Sequence, residues 1–202
     1  MQGERMKKTK QLQFSQIPEI PELERELKRE RYKRRYKRTL KGTIYVLVTV
    51  AAAAILVATL WLPVLEIYGS SMTPTLNDGQ IVLSWKTGNL KSGQIVAFYY
   101  NNKILVKRVI AQSGDWVNID REGNVYVNGE LLAEPYLTEK AMGECNIELP
   151  YQVPETHIFV MGDHRSTSID SRSTEVGCVS EEQVVGRLIM CIWPLADFGM
   201  IE

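Results

Sequence analysis

The feature that most constrains this chain is a run of 24 residues without a charged side chain, from Gly42 to Leu65. An α-helix rises about 1.5 Å per residue, so about 20 residues cross the roughly 30 Å hydrocarbon core of a bilayer. Tyr45 and Trp61 lie near the two ends of the run, where amphipathic rings favour the membrane interface. A cleaved secretory signal has an apolar region of only about 7–15 residues, and a buried core helix rarely lacks polar residues all round. The run therefore predicts a transmembrane helix over residues 42–65.

The charges of the chain are divided by this run. Residues 1–41 carry 14 basic and 6 acidic side chains, whereas the rest of the chain carries 10 basic and 18 acidic ones. Basic flanks stay on the cytoplasmic side of a membrane and attract anionic lipids by about 1 kcal/mol per base. We therefore expect a single-pass protein of the cell membrane with a cytoplasmic amino terminus. Residues 66–202 would lie outside the cytoplasm, membrane lipids would contact the basic arm, and nucleic acid is not an expected partner.

Each of these segments has its own local pattern. Glu24/Lys28 and Glu30/Arg34 have the i,i+4 spacing of helical ion pairs, which predicts a charged helix over residues 21–41. We expect the first 20 residues to be disordered.

The segment after the apolar run reads as a succession of strands. Its apolar stretches are short, rich in β-branched and aromatic residues, and separated by Asn and Gly. The predicted strands are 80–85, 94–100, 103–110, 115–120, 124–127, 157–161 and 184–190. Asn128-Gly129 predicts a two-residue hairpin, because a type I′ turn needs positive φ at both central positions. The pattern predicts a mainly β fold, a coiled-sheet or barrel-like domain tethered by one amino-terminal transmembrane helix.

Two residues of this segment could form a nucleophile and its base. Ser71 lies in a turn of small residues, residues 69–74, which follows the apolar run directly and can expose a hydroxyl. Lys107 lies in a predicted strand with apolar residues on both faces, which indicates burial. For Lys107 to act as the base that a serine nucleophile needs, its pKa must fall from about 10.4 to between 7 and 8, which costs about 4 kcal/mol. Two other interpretations stay open: a turn without a catalytic role, and a lysine at the rim paired with an acid.

A third polar segment, residues 162–172, follows the predicted strand 157–161. It contains charges of both signs and several hydroxyls. The simplest interpretation is a polar loop held by Asp–Arg pairs. A functional interpretation is that a second hydroxyl holds the neutral lysine amine while the charged residues of the loop make the surroundings rigid.

Together these motifs resemble those of the bacterial type I signal peptidases, or leader peptidases, which use a Ser–Lys dyad. The shared pattern is a single span, then Gly-x-Ser-Met-x-Pro-Thr-Leu, Lys-Arg-Val and Gly-Asp-x-Arg-x-x-Ser-x-Asp-Ser-Arg, over nearly all of residues 43–194. The resemblance implies a serine endopeptidase with a mostly β catalytic domain. Its substrates would be preproteins emerging from the export machinery, cleaved after small residues at positions −1 and −3. The sequence contains no zinc-ligand spacing and no Gly-rich phosphate loop, so no metal or cofactor is expected.

The resemblance also implies a role for each site residue. Ser71 would be the nucleophile, with its backbone N–H as an oxyanion donor, and Lys107 the general base and then the acid for the leaving amine. Ser168 falls on the serine that orients the lysine. The supporting loop residues would be Asp163, Arg165, Asp170 and Arg172.

The chain departs from parts of this pattern. Gly69 stands where some members carry a serine whose hydroxyl helps to form the oxyanion hole, which leaves the second donor open. His164 stands where some relatives have Asn, and we interpret it as structural because Lys107 occupies the position of the base. The segment between the hairpin and residue 157 is short, which implies only a small cap around residues 129–156. We expect an extended substrate to pair with the residues before Ser71 and the two residues after Lys107.

Two other classes of protein remain as alternatives. The self-cleaving domains of SOS repressors share a Ser–Lys dyad, but they would need a DNA-binding amino terminus and lack a spanning helix. The other alternative is a catalytically weak or inactive membrane-tethered β-domain that binds exported chains, against which the presence of both Ser71 and Lys107 argues. Among Cys145, Cys178 and Cys191 one disulfide and one free thiol are possible, and the sequence does not choose the pair.

Overall fold

The computed structural model, which describes residues 20–201, begins with one long helix, α1, from Ile20 to Trp61. By length and composition α1 could cross a membrane: its apolar part has a mean hydropathy of 2.4, and none of its residues is buried. The charged and apolar segments predicted separately therefore form one continuous helix. By its contacts the chain divides into two units, one up to Ala54 and one from Ile55 onward. The predicted domain boundaries after residues 41 and 65 stay predictions.

The helix ends at Trp61, before the end of the apolar run at Leu65. Pro63 explains this end, because proline lacks an N–H and disfavours helical geometry at the residue before it. Leu65 lies instead in the first strand. The prediction of disorder over residues 1–20 falls outside the described residues except at Ile20, which begins the helix.

The described residues after the helix form twelve strands and two short 3-10 helices. The strands are β1 Val64–Glu66, β2 Ile81–Trp85, β3 Ile95–Tyr100, β4 Lys103–Ala111, β5 Trp116–Ile119, β6 Val125–Val127, β7 Glu130–Leu131, β8 Tyr151–Gln152, β9 His157–Met161, β10 Val179–Ser180, β11 Val184–Trp193 and β12 Gly199–Met200. The 3-10 helices are Glu181–Gln183 and Leu195–Asp197.

The strands form two antiparallel sheets. The larger has the order β1-β2-β11-β3-β4-β9-β10, with β12 beside β11, and the smaller has the order β7-β6-β5-β8. The predicted mainly β class is confirmed. Within the described part of the chain neither sheet closes into a barrel, because β1 and β10 remain at opposite ends of the larger one.

Two tight turns determine the register of the hairpins. Asn128 and Gly129 have φ angles of 53° and 85°, so the predicted two-residue turn between β6 and β7 is confirmed. Asn101 and Asn102 have φ angles of 42° and 65° and join β3 to β4 in the same way. The second turn matters for the site, because the register it determines places Lys107 opposite Val96 in the middle of the larger sheet.

The hydrophobic core anchors the segment around Ser71. Ile67, Met72 and Leu76 flank this residue and pack in one cluster with Val82 of β2 and Leu188 of β11. Burying an aliphatic side chain of this size contributes about 1.5–3 kcal/mol. The turn that carries Ser71 is therefore held on both sides by core side chains.

A second cluster joins the two sheets. Ile110 of β4 and Phe159 of β9 pack with Val117 of β5 and Val125 of β6. The smaller sheet thus covers the part of the larger sheet that follows Lys107 along β4.

Candidate active site

Ser71 is half-buried and lies in a turn whose backbone contacts neighbouring segments of the chain. Gly69 has a φ of +88°, a conformation that side chains rarely adopt, and its N–H donates to Asp78 Oδ1 at 2.6 Å. This contact occupies the Gly69 N–H. The sequence left the second oxyanion donor open, because Gly69 has no side-chain hydroxyl. The backbone N–H of Gly69 does not fill this role, because it already donates to Asp78.

Lys107 is the partner of Ser71. It lies on β4, is 4% exposed, and its Nζ is 2.7 Å from Ser71 Oγ. The predicted burial of the strand is thus found at Lys107. Among the described residues Lys107 forms no ion pair, so the alternative of a rim lysine paired with an acid is wrong.

Burial lowers the pKa of Lys107 to about 8, because the protein interior disfavours the ammonium form. Asp170 and Asp163 oppose this shift through their negative charge, and Arg172 adds to it. Near pH 8 both protonation states are populated. The ammonium form donates a hydrogen bond to Ser71 Oγ, and the neutral amine can accept the hydroxyl proton.

The polar loop after β9 is held by three buried ion pairs. Asp163 accepts from Arg108 Nε at 3.0 Å and Nη2 at 2.8 Å, and from Thr75 Oγ1 at 2.5 Å. Arg108 also lies over the Tyr136 ring, with its guanidinium carbon 3.9 Å from the ring centroid. The turn after Ser71, strand β4 and the loop are therefore joined at one carboxylate.

The second and third pairs lie within the loop and against the cap. Arg172 donates to Asp170 through Nε and Nη2, both at 2.8 Å, and the Gly162 N–H donates to the same carboxylate at 2.9 Å. Arg165 forms an ion pair with Glu134 and donates from Nε to the Gly162 carbonyl at 3.1 Å.

Two of the three pairs that hold the loop are thus Asp–Arg pairs, as expected, and one of them, Asp170–Arg172, lies wholly within the loop. The actual partners of Asp163 and Arg165 are Arg108 and Glu134, which sequence reasoning missed. A signal for Arg108 existed, because a charged residue in a strand that is apolar on both faces must find a buried partner.

Ser168 is buried at 2% exposure, and its Oγ makes no hydrogen bond among the described residues. The hydrogen bond to Lys107 that the resemblance implies is therefore not formed in this structure, where Lys107 Nζ contacts Ser71 instead. Ser168 does lie close to the turn that carries Ser71: a methyl group on Gly162 would collide with both Ser168 Oγ and the Ser71 carbonyl oxygen. Its orienting role stays a prediction.

His164 contacts the turn from the loop side. The backbone N–H of His164 donates to the Ser71 carbonyl oxygen at 3.0 Å. Its ring atom Nδ1 lies 3.2 Å from Thr73 Oγ1 and 3.3 Å from the Ser70 carbonyl oxygen.

Ser71 and Lys107 line an apolar groove of about 530 Å³. One wall is residues 65–69 and the other is residues 103–107. Among residues 20–201, β1 pairs only with β2, and β4 pairs with β9 only from Arg108 onward. Both walls therefore present backbone edges without a strand partner in this part of the chain. The expectation that the two residues after Lys107 line the cleft is wrong, because Arg108 and Val109 are buried between β3 and β9. The residues before Lys107 line it instead.

The remaining candidates for special chemistry are few. Cys145, Cys178 and Cys191 are all free thiols, so the disulfide considered from the sequence is not formed. Burial raises the pKa of Cys178 to about 11. Within residues 20–201 no group of three or more His, Cys, Asp or Glu side chains is placed to hold a metal ion.

Comparison with known proteins assigns this chain to a family. The family model described as "Signal peptidase, peptidase S26" matches residues 40–193. The chain is 36% identical to signal peptidase IB of Staphylococcus aureus, over 65% of this chain and 78% of that protein. It is 35% identical to signal peptidase I of Bacillus licheniformis, over 75% of this chain and 87% of that protein.

A solved structure is also similar. The crystal structure of a signal peptidase I from Enterococcus faecalis V583 matches 50% of this chain and 97% of its own, with 29% identity and a TM-score of 0.43. The family match covers most of the sequence, and the two curated relatives are matched over more than two thirds of their length. The chain therefore belongs to the signal peptidase family, peptidase S26.

Proposed function

We propose that this chain is a membrane-bound serine endopeptidase that removes amino-terminal signal peptides from exported preproteins. The observation that carries the proposal is the 2.7 Å contact between Ser71 Oγ and Lys107 Nζ in the lining of an apolar groove. Membership of the signal peptidase family supports the reaction class. The pair supplies a nucleophile and a base held in hydrogen-bonding contact.

In the first step, Ser71 Oγ attacks the scissile carbonyl carbon while its proton moves to Lys107 Nζ. Lys107 accepts this proton only when neutral, and the burial that lowers its pKa to about 8 supports a substantial neutral fraction near that pH. The carbonyl oxygen becomes an oxyanion in the tetrahedral intermediate. The Ser71 N–H is the proposed donor to it, and one such donor is typically worth about 3 kcal/mol in the transition state.

In the second step, the carbon–nitrogen bond breaks and the Lys107 ammonium gives its proton to the leaving amine. This amine becomes the new amino terminus of the mature protein, and the signal peptide remains as an ester on Ser71. Water then attacks the ester carbonyl, Lys107 takes the proton of the water, and that proton returns to Ser71 Oγ. The signal peptide leaves with a carboxylate at its carboxyl end.

The buried polar loop is proposed to keep this pair in place. Each charged residue of the loop is at most 2% exposed and forms an ion pair, as seen for Asp163, Arg165, Asp170 and Arg172. This burial and pairing favour a rigid loop that holds the turn and β4 in place. Ser168 is proposed to orient the neutral Lys107 amine during turnover. Its buried hydroxyl, which has no hydrogen-bond partner in the described structure, supports this role because it is available for a new contact.

The groove is proposed to bind the substrate as an extended strand. Backbone edges without a strand partner on both walls support hydrogen bonding to the peptide, and the apolar lining supports contact with uncharged side chains. In an extended peptide the side chains at −1 and −3 point to the same face, so both would meet the same wall of the groove. We propose that this wall admits only small residues at the two positions.

Helix α1 is proposed to anchor the enzyme with its amino terminus in the cytoplasm and the β-domain outside. The length and hydropathy of its apolar part support a membrane span. The basic residues that precede this apolar part support the orientation and the contact with anionic lipids. Cysteine accessibility at residue 100 in intact cells tests this arrangement. The probe is a membrane-impermeant thiol reagent applied to cells that carry Tyr100→Cys. Labelling of this cysteine only after the membrane has been permeabilised would contradict the arrangement.

The test of the activity is cleavage of a preprotein by the full chain in detergent, with the cleavage site read by mass spectrometry. Wild type should cut after small residues at −1 and −3. Ser71→Ala and Lys107→Met should both be inactive, while Lys91→Met, at an exposed site outside the groove, should be as active as wild type. Cleavage that survives either active-site substitution would refute the dyad.

A further inference from the structure

The peptide unit between Ser70 and Ser71 is held at its carbonyl end by three groups. The Ser70 carbonyl oxygen accepts from the Thr73 N–H at 3.1 Å and from Thr73 Oγ1 at 2.8 Å, and His164 Nδ1 lies 3.3 Å from it. His164 Nδ1 also lies 3.2 Å from Thr73 Oγ1. A carbonyl oxygen can only accept, so the His164 contact requires a proton on Nδ1.

The other end of the same peptide unit is the Ser71 N–H. The peptide is trans, because the cis bonds of the described chain are all at prolines elsewhere, and in a trans peptide the N–H points opposite to the C=O. The Ser71 N–H donates no hydrogen bond within the described residues.

Two cavities lie beside this turn. The lining of the substrate groove includes Gly69, Ser71 and Met72, whereas the lining of a second pocket includes Thr73 and His164. The two cavities share no lining residue. Ser71 thus borders the groove, whereas the two residues that hold the Ser70 carbonyl oxygen border the other pocket.

We infer that His164, together with the Thr73 hydroxyl, is a positioning residue that aims the Ser71 N–H at the substrate oxyanion. The inference rests on the proposed peptidase function and gives His164 a more specific role than a structural one. An oxyanion donor acts only if its direction is set before the reaction. Because the Gly69 N–H donates to Asp78, stabilisation of the oxyanion depends more strongly on the direction of the Ser71 N–H.

The chemistry of the contact identifies the matched variants. Asparagine carries its amide nitrogen at the same side-chain position as His164 Nδ1 and can donate the same hydrogen bond, whereas leucine fills a similar volume without a donor. Serine keeps the hydroxyl of Thr73, and valine removes it at nearly constant shape. The pairs His164→Asn with His164→Leu and Thr73→Ser with Thr73→Val therefore separate hydrogen bonding from packing.

The test measures kcat and KM for a preprotein with the full chain in detergent, together with inhibition by a peptide aldehyde. An aldehyde adds Ser71 Oγ to its carbonyl carbon, and the resulting oxygen occupies the oxyanion position. Loss of a whole oxyanion donor lowers kcat by about 100- to 1,000-fold, and a misdirected donor that the Thr73 N–H still restrains should lose about 10-fold. We expect this loss in His164→Leu and Thr73→Val, an equal weakening of aldehyde binding, and KM within about twofold of wild type.

His164→Asn and Thr73→Ser should recover most of kcat, and none of the four variants should change the pH at which activity rises. Wild-type kcat and aldehyde affinity in both His164→Leu and Thr73→Val would overturn the inference, as would losses of equal size in the conservative variants. If His164→Leu fails to fold, as judged by its thermal unfolding, the Thr73 pair decides alone. Failure of the proposed function is distinguishable, because wild type itself would then not cleave the preprotein.

Discussion

Replacing Lys107 by methionine should abolish activity and at the same time stabilise the fold near neutral pH. Burial lowers the pKa of this lysine from 10.5 to about 8. Below pH 8 the lysine is protonated in both states, and its charge is less stable in the folded chain than in the unfolded one. At about 1.4 kcal/mol per pH unit of difference, the buried ammonium destabilises the fold by roughly 3 kcal/mol.

This penalty should disappear as the pH rises. Between about pH 8 and 10.5 the folded state has released the proton that the unfolded state still binds, so the free energy of unfolding increases with pH. Methionine has a similar length, no charge and a flexible chain that fills the site. It loses the hydrogen bond to Ser71, about 1 kcal/mol, so the net stabilisation at pH 7 should be about 2 kcal/mol.

The assay is denaturant unfolding of the full chain in mild detergent, followed by tryptophan fluorescence at several pH values from neutral to strongly alkaline. The quantity of interest is the difference in free energy of unfolding between Lys107→Met and wild type, in which all other titrating groups cancel. Lys91→Met, an exposed substitution, should differ from wild type by no more than about 0.5 kcal/mol. A Lys107→Met difference that stays constant across the pH range would refute a lowered pKa and, with it, the neutral base.

Two further substitutions test the shell around the pair. Gly162→Ala should lower activity about 100-fold and destabilise the fold by about 1–3 kcal/mol, because the added methyl collides with Ser168 Oγ and the Ser71 carbonyl; wild-type cleavage and unchanged thermal unfolding would contradict this packing. Asp170→Asn removes the charge that pairs with fully buried Arg172 and should cost about 3–5 kcal/mol by denaturant unfolding, and a loss below about 1 kcal/mol would show that the pair is dispensable.

The strands of the two hairpins could be predicted from the sequence because the turns between them contain characteristic residues. Asn101-Asn102 ends β3 and starts β4, and Asn128-Gly129 does the same for β6 and β7, all with positive φ. The strands that were missed span two or three residues, too few for an alternating pattern. β1 was not predicted for a further reason: Val64 and Leu65 continue the apolar run that was assigned to the helix.

The site was predictable in its residues and less so in its contacts. The strand pattern around Lys107 indicated burial, and the motif around Ser71 indicated a turn, but their contact joins positions 36 apart in sequence and was expected from the resemblance. The ion-pair partners Arg108 and Glu134 were missed because pairing over 55 and 31 positions depends on the sheet order and on the path of the cap. Neither the sheet order nor the path of the cap can be read from a pattern in a single sequence.

The most direct test of the Ser71–Lys107 mechanism is detection of the acyl-enzyme. A preprotein is mixed with the full chain in detergent near pH 8, quenched in acid after a fraction of a turnover, digested and analysed by mass spectrometry. The mechanism predicts the signal peptide joined as an ester to the fragment that contains Ser71, absent from Ser71→Ala and from Lys107→Met. An adduct on another residue, or cleavage by Ser71→Ala at the wild-type rate, would contradict it.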